Sequence, residues 1–220
     1  VQLNVGYICP ERIRGKRDEK LAAELSKRFD VFEVTERVLK AMTNTVSPQP
    51  FAAEAPVPKL GLDDIELPDQ CLVAVAAGTQ DPGNLGSMIR TAHAVGATGL
   101  VVLGNTVDPY SPKVVRATMG SLFSVTVVVR REYDEFLAWC RERDVTVVGA
   151  TVGSDELLFD AEFPPRMAAL LGSETQGLPD ELENADIRKI RIPMPGGAES
   201  LNVSVAAGVV MYEYRRQFPI

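Results

Sequence analysis

With 220 residues, 45% of them hydrophobic, and a net charge of −7, the chain is long and apolar enough for a sizeable core in one large domain or in a small one joined to a medium one. The acidity argues against nucleic-acid binding by bulk charge, and no stretch approaches the roughly 20 consecutive apolar residues that a membrane helix needs. Three scattered cysteines and one histidine, with no CxxC, GxSxG, GxGxxG or GxxxxGK[ST] pattern, argue against a zinc cluster, a Ser-His-Asp hydrolase, a nicotinamide dehydrogenase and a P-loop enzyme.

Residues 1–43 read as a small α/β piece: a strand over 3–8, a helix over 18–29, a short strand over 31–34 and a further helix over 38–42. By itself this segment is too short to bury much surface and reads as part of a domain. It carries nine Lys and Arg against seven Asp and Glu, so the remainder of the chain holds a net −9. Arg12, Arg14, Lys16 and Arg17 form its densest basic cluster, a pattern that a solvated loop would also show. Five prolines between Pro48 and Pro68 then mark one extended segment over 51–55 and a linker, with a boundary near residue 60.

Beyond Pro68 the pattern is strongly α/β. Apolar runs suited to buried parallel strands fall at 71–77, 100–103, 125–129, 145–150, 168–171 and 190–192. Helices are expected at 85–95, 113–119 and 133–142, with a last one from about 200 to 217. Loops beyond the carboxyl ends of such strands are where an open α/β sheet binds ligands. Three of them are unusual. In 81–96, Asp-Pro-Gly-Asn is turn chemistry leading to a helix expected to begin near Asn84 or Leu85. Leu85, Met88, Ile89, Ala92 and Val95 form its apolar stripe, and Arg90 lies within that run as a buried-looking cation reaching over Gly86 toward Asn84. An ordinary surface arginine would fit the same spacing. In 171–179, two glycines bracket Glu174 directly after a strand. In 192–202, a Pro- and Gly-rich loop leads to Ser200 and Asn202, either of which would also serve as a helix cap.

Asn84-Leu85-Gly86-Ser87-Met88-Ile89-Arg90, then Leu171-Gly172-Ser173-Glu174-Thr175-Gln176-Gly177-Leu178, then Ile192-Pro193-Met194 through Ser200-Leu201-Asn202-Val203-Ser204-Val205-Ala206 resemble, in order, the three motifs of the SpoU (TrmH) family of RNA ribose 2′-O-methyltransferases in the SPOUT superfamily. Residues 111–123 are similar to the family's intermediate helix. The resemblance implies an α/β fold, a mostly parallel sheet with a C-terminal trefoil knot, over 70–220. A linker over 56–69 would join it to a partial, ribosomal-protein-like RNA-binding domain over 1–55.

The same resemblance implies a homodimer that uses S-adenosylmethionine, releases S-adenosylhomocysteine and needs no metal; with no membrane-length apolar run and no signal peptide visible, the cytoplasm is the default location. The cofactor would be held by Ala150, Thr151, Gly172, Ser173, Glu174, Gly177, Ile192, Met194, Ser200 and Leu201. Catalytic roles carry over to Asn84, Arg90, Glu174, Ser200 and Asn202. Arg12, Arg14, Lys16, Arg17 and Arg116 become the expected RNA contacts, with ribosomal RNA of the 23S type favoured over transfer RNA because of the front domain. A guanidinium is effectively always protonated, so Arg90 is expected to stabilise charge on the 2′-oxygen rather than to act as the base. His93 departs from an otherwise Ala-rich helix and is either a surface residue or turned toward RNA. The competing readings are a non-catalytic RNA-binding or ribosome-assembly protein of the same fold and a small-molecule-binding α/β domain.

Overall fold

The computed structural model describes residues 3–173 and 176–219, which divide into two compact units, Val1–Lys59 and Leu60–Ile220. In the first, β1 (Val5–Ile8) lies between two neighbours; α1 (Gly15–Arg28), β2 (Val31–Glu33), α2 (Glu36–Thr43) and β3 (Phe51–Glu54) complete the set. β1 runs parallel to β2 and antiparallel to β3, giving a small mixed sheet. Thr35 caps α2 by accepting from the Val38 amide, and Asn44 ends it in the left-handed conformation, which Asn tolerates better than most residues. Ile8, Cys9 and Leu39 form the buried centre of this unit.

The second unit is a six-stranded, wholly parallel sheet. In chain order it comprises β4 (Cys71–Ala77), α3 (Pro82–Val95), β5 (Gly99–Leu103), α4 (Pro112–Ala117), β6 (Val127–Arg130), α5 (Tyr133–Glu142), β7 (Thr146–Ala150), β8 (Arg166–Leu171), α6 (Asp180–Glu183), β9 (Arg188–Ile190) and α7 (Val203–Gln217). The strand order is β6-β5-β4-β8-β7-β9. Every residue of β4 is buried, as an unbroken apolar run at the centre of a two-faced sheet requires. Its alternation sends Leu72, Ala74 and Ala76 into a core shared with α3, α4 and α7. Val73, Val75 and Ala77 enter a second core with Phe136, Trp139 and Cys140 of α5. Leu62 and Ile65 belong to this second core, so the later half of the proline-rich stretch, 60–68, packs onto the sheet. Arg166 fixes it by donating to the carbonyls of Leu67 (2.8 Å) and Pro68 (3.2 Å).

Local chemistry moves several expected boundaries. α3 starts at Pro82 rather than at Asn84 or Leu85, because Asp81 is the cap and accepts from the Asn84 amide at 2.8 Å, while proline suits the first helical turn. α7 starts at Val203, capped by Asn202, and not at Ser200. The last strand ends at Ile190, which leaves Ile192 in the loop beyond it. Gly86 is bare for a different reason from the one its spacing suggested. A Cβ there would stand 2.4 Å from the Cβ of Ala117, so the missing side chain lets α4 approach α3. Arg90 is exposed rather than buried.

Between β7 and β8 the chain forms a strap over 151–165 that grips the segment around β9. Thr151 N–H donates to Ile190 O (2.9 Å), Arg191 N–H to Glu156 O (2.8 Å) and Leu158 N–H to Arg191 O (2.9 Å). Arg188 makes a two-pronged ion pair with Glu156. The strap's far end is tied to α7, where Gln217 accepts from Phe163 N–H and donates to Ala161 O and Glu213, each at 2.8 Å. The family resemblance places its knot in this C-terminal part of the unit.

Arg216 donates twice to the buried Glu213 and, aided by Gln217, holds its carboxyl below the ordinary range against the opposing effect of burial. A depressed folded pKa gives stability that is complete above the unfolded carboxyl pKa of about 4.3 and is lost as pH falls toward the folded value. Glu213→Gln is therefore expected to flatten the acid limb of a stability profile measured by urea melts from pH 6 down to pH 3. Gly86→Ala should lower stability by about 1–3 kcal/mol through overpacking against Ala117, read from the same melts at neutral pH.

Candidate active site

A cavity of about 620 Å3 opens beyond the carboxyl ends of β7 and β8 and beyond β9. Ala150 and Thr151 close one side, Leu171 to Ser173 and Gln176 to Leu178 another, and the loop from Arg191 to Leu201 a third, with Val203 and Ala206 of α7 behind. The sheet's topology brings these loops together: β8 is inserted between β4 and β7, so the turns after three strands share one edge.

The loop after β8 is a tight hairpin. Ser173 N–H donates to Gly177 O (2.7 Å), Gly177 N–H returns the bond to Ser173 O (3.1 Å), and Gln176 N–H caps onto Ser173 Oγ (3.1 Å). Gly177 has φ +70, in the left-handed region. At Gly172 a Cβ would lie 2.1 Å from Gly177 O and 2.4 Å from Leu178 N, a distance at which no side chain fits. Bare backbone therefore faces the cavity on this side, while Leu171, Leu178, Ile192 and Met194 supply apolar walls. Main-chain donors and acceptors between apolar faces suit a flat heterocycle, and the volume lies in the range of small-molecule sites.

A second cluster adjoins the cavity. Asn202 Oδ1 accepts from Ser204 N–H (3.0 Å), Ser204 Oγ (2.7 Å) and Val205 N–H (3.3 Å), and its Nδ2 donates to Asn84 Oδ1 at 2.9 Å. One amide thus caps α7 and joins it to the first turn of α3. The chain neighbours of Asn202, Leu201 and Val203, both line the cavity. Arg90 lies further along α3, exposed, with no hydrogen-bond or ion-pair partner among the described residues. His93 is exposed, with Nδ1 3.2 Å from Ser121 Oγ.

Of the ten residues expected around the cofactor, nine line this one cavity: Ala150, Thr151, Gly172, Ser173, Gly177, Ile192, Met194, Ser200 and Leu201. Glu174, expected in both cofactor and catalytic roles, lies outside the described residues. Within the catalytic set Ser200 lines the cavity, whereas Asn84 and Asn202 pair with each other beside it and Arg90 stands apart on α3. Sequence reasoning missed the cavity's charged lining: Asp180, Glu183, Arg191 and Glu199. Each is close in sequence to a motif residue, so adjacency was the available signal.

Among the expected RNA contacts, Arg12 is engaged internally, donating to Glu36 (2.9 Å) and Ser47 (3.1 Å). Arg14 donates to the carbonyls of Glu11 and Ile13, each at 3.0 Å. Lys16 and Arg17 are exposed in the first turn of α1, and Arg116 is exposed at the end of α4. Among the described residues no group of three or more His, Cys, Asp and Glu is placed to hold a metal ion, and no helix is long and apolar enough to cross a membrane.

Comparison with known proteins points to one family. The SpoU rRNA methylase family model matches residues 71–212. A 23S rRNA (uridine(2479)-2′-O)-methyltransferase of Streptomyces viridochromogenes is 36% identical over 176 residues, 78% of this chain, and the match spans 61% of that relative's length. The 23S rRNA (guanosine(2553)-2′-O)-methyltransferase RlmP of Bacillus subtilis is 30% identical over 91% of this chain and 78% of its own. Among solved structures, the SpoU methyltransferase AviRb of S. viridochromogenes in complex with the cofactor AdoMet superposes with a TM-score of 0.85 at 32% identity, covering 98% of this chain and 83% of that one.

Gly172→Ala is expected to open the 173–177 hairpin and weaken binding of S-adenosylmethionine at least tenfold by calorimetry. The far-ultraviolet spectrum should stay unchanged, because the strain is confined to one loop.

Proposed function

This chain belongs to the SpoU methylase family, RNA ribose 2′-O-methyltransferases that use S-adenosylmethionine, and from that premise we propose that it methylates a ribose 2′-hydroxyl in ribosomal RNA of the 23S type. The observation that carries the reading is the convergence of nine expected cofactor residues on one cavity whose backbone-lined hairpin depends on Gly172. The preference for 23S RNA is supported by the two relatives named for that substrate. The first unit, a mixed sheet with the basic first turn of α1, would supply RNA contacts through Lys16 and Arg17 more than through Arg12, which is held by Glu36. A cytoplasmic location follows from an RNA substrate of this kind.

Apolar side chains at Leu171, Leu178, Ile192 and Met194 would sandwich the adenine, with main-chain groups of the hairpin and of the loop after β9 reading its edge. The bound cofactor supplies a sulfonium methyl: as the 2′-oxygen bonds to its carbon, the carbon–sulfur bond breaks, the electron pair returns to sulfur and the hydroxyl proton departs to phosphate or water. Arg90, fixed in charge and without a partner in the described fold, would donate to the 2′-oxygen and the adjacent phosphate, stabilising the developing alkoxide. Asn202 has little hydrogen-bonding capacity left for substrate, since its oxygen already accepts three bonds and its nitrogen holds Asn84. Its role is to tie the first turn of α3 to the start of α7 through Asn84, while Ser200 on the cavity wall meets the ribose or cofactor. Leu201 on the cavity wall just before α7, and Val205 and Tyr212 on the helix, leave apolar side chains exposed and support a homodimer through this helix.

Arg90→Ala is expected to lower kcat by about 10²- to 10³-fold on an RNA substrate, with the S-adenosylmethionine Kd unchanged. Near wild-type turnover in this variant would remove Arg90 from catalysis. Mapping ribose 2′-O-methyls in 23S and transfer RNA of a deletion strain identifies the substrate directly; loss of a methyl from transfer RNA alone would overturn the ribosomal assignment.

A further inference from the structure

The charged lining of the cavity is uneven in a way that the motif residues do not explain. Among its described residues are three carboxylates, Asp180, Glu183 and Glu199, and one cation, Arg191. Glu183 is compensated by the Lys189 ammonium 3.3 Å away. Arg191 is anchored through its Nε to Ser154 O at 2.9 Å, which leaves its terminal nitrogens free to meet a ligand carboxylate. Asp180, in the first turn of α6, and Glu199, next to Ser200 in the last loop, have carboxylates without a hydrogen-bond or ion-pair partner among the described residues. Neither is held in an ion pair with a described residue, so even with Arg191 counted the described lining keeps a net negative charge.

We propose that Asp180 and Glu199 bias this cavity toward a cation, so that the protein holds S-adenosylmethionine more tightly than the S-adenosylhomocysteine it produces. The inference rests on the assignment of the cavity to that cofactor. S-adenosylmethionine carries a sulfonium, an ammonium and a carboxylate, for a net charge of +1; methyl transfer turns the sulfonium into a neutral thioether and leaves a product of net charge zero. The two molecules share adenine, ribose and amino-acid ends, so Arg191 and the apolar walls meet both alike. Charge is the main difference left for the protein to read. Two carboxylates in this net negative lining attract the substrate form and release this attraction once the methyl has gone, which favours exchange of spent cofactor. Since both are exposed, their attraction is screened by salt.

Calorimetry on the full chain tests this with three ligands: S-adenosylmethionine, S-adenosylhomocysteine and an analogue in which a protonated amine replaces the methylated sulfonium. The proteins compared are the wild type, Asp180→Asn, Glu199→Gln and the double variant, with thermal melts to verify that each is folded. Each neutralisation should raise the Kd of the two cationic ligands roughly threefold, and the pair roughly tenfold, with that of S-adenosylhomocysteine shifting less than about twofold. Added salt should weaken the cationic ligands in the wild type and lose that effect in the double variant. An equal loss for all three ligands would overturn the proposal, since the carboxylates would then act on the cavity's shape, as would no loss for any. Failure of the wild type to bind all three would overturn the cofactor assignment itself, and this inference with it.

Discussion

The hairpin after β8 closes because residue 172 presents no side chain to the Gly177 carbonyl. With the two backbones in contact, Ser173 and Gly177 exchange hydrogen bonds, and the chain turns back at the end of a buried strand. Everything on that edge of the sheet is arranged around this turn. Leu178 returns to the core against Gly149 of β7, where a Cβ would meet it at 3.0 Å, and so the hairpin is fixed to the strand whose end, Ala150, forms the opposite wall of the cavity. A cofactor read by main-chain groups needs a backbone held this firmly, because peptide donors cannot adjust as a side chain does.

The strap over 151–165 and the helix α7 hold the remaining wall in a similar way. The loop after β9 contributes Ile192, Met194 and Leu201 to the cavity, and each end of it is anchored by groups distant in sequence. Arg191 is clasped by the backbone of Glu156 and Leu158. Asn202 spends its carboxamide on the α7 amides and on Asn84. Thus the polar residues with conspicuous spacing in this region are structural as much as chemical, and the two roles coincide where a helix cap also faces the neighbouring helix.

The sheet was largely legible in the sequence. β4 is an uninterrupted apolar run, and α5 has the bounds its periodicity suggested, because burial on a sheet leaves a local pattern. α3 begins before the expected Asn84 because the Asp-Pro pair sets the cap at Asp81 and puts proline in the first turn, a signal that the turn residues around it obscure. Gly86 serves helix packing, and of the two placements open for Arg90 the exposed one holds. Nothing in the spacing reveals that Ala117, thirty-one positions later, fills the space beside Gly86. Asp180, Glu183, Arg191 and Glu199 were missed for the same reason, since membership of a cavity wall is decided by which loops the topology brings to one edge. The nine cavity residues that were anticipated came from resemblance to a family and not from periodicity.

Trp139, the single tryptophan, packs beside Phe136 in the α5 layer, with the Arg143 guanidinium 5.8 Å from its ring, and lies on the face of the sheet opposite α3 and α7. The protein therefore carries one tryptophan, which red-edge excitation selects apart from the five tyrosines, and it belongs to the layer remote from Arg90 and the Asn84–Asn202 contact. Its emission will follow the loss of the α5 layer during denaturation and will stay nearly silent to changes confined to the other face, so the two halves of the core can be told apart optically without introducing a label.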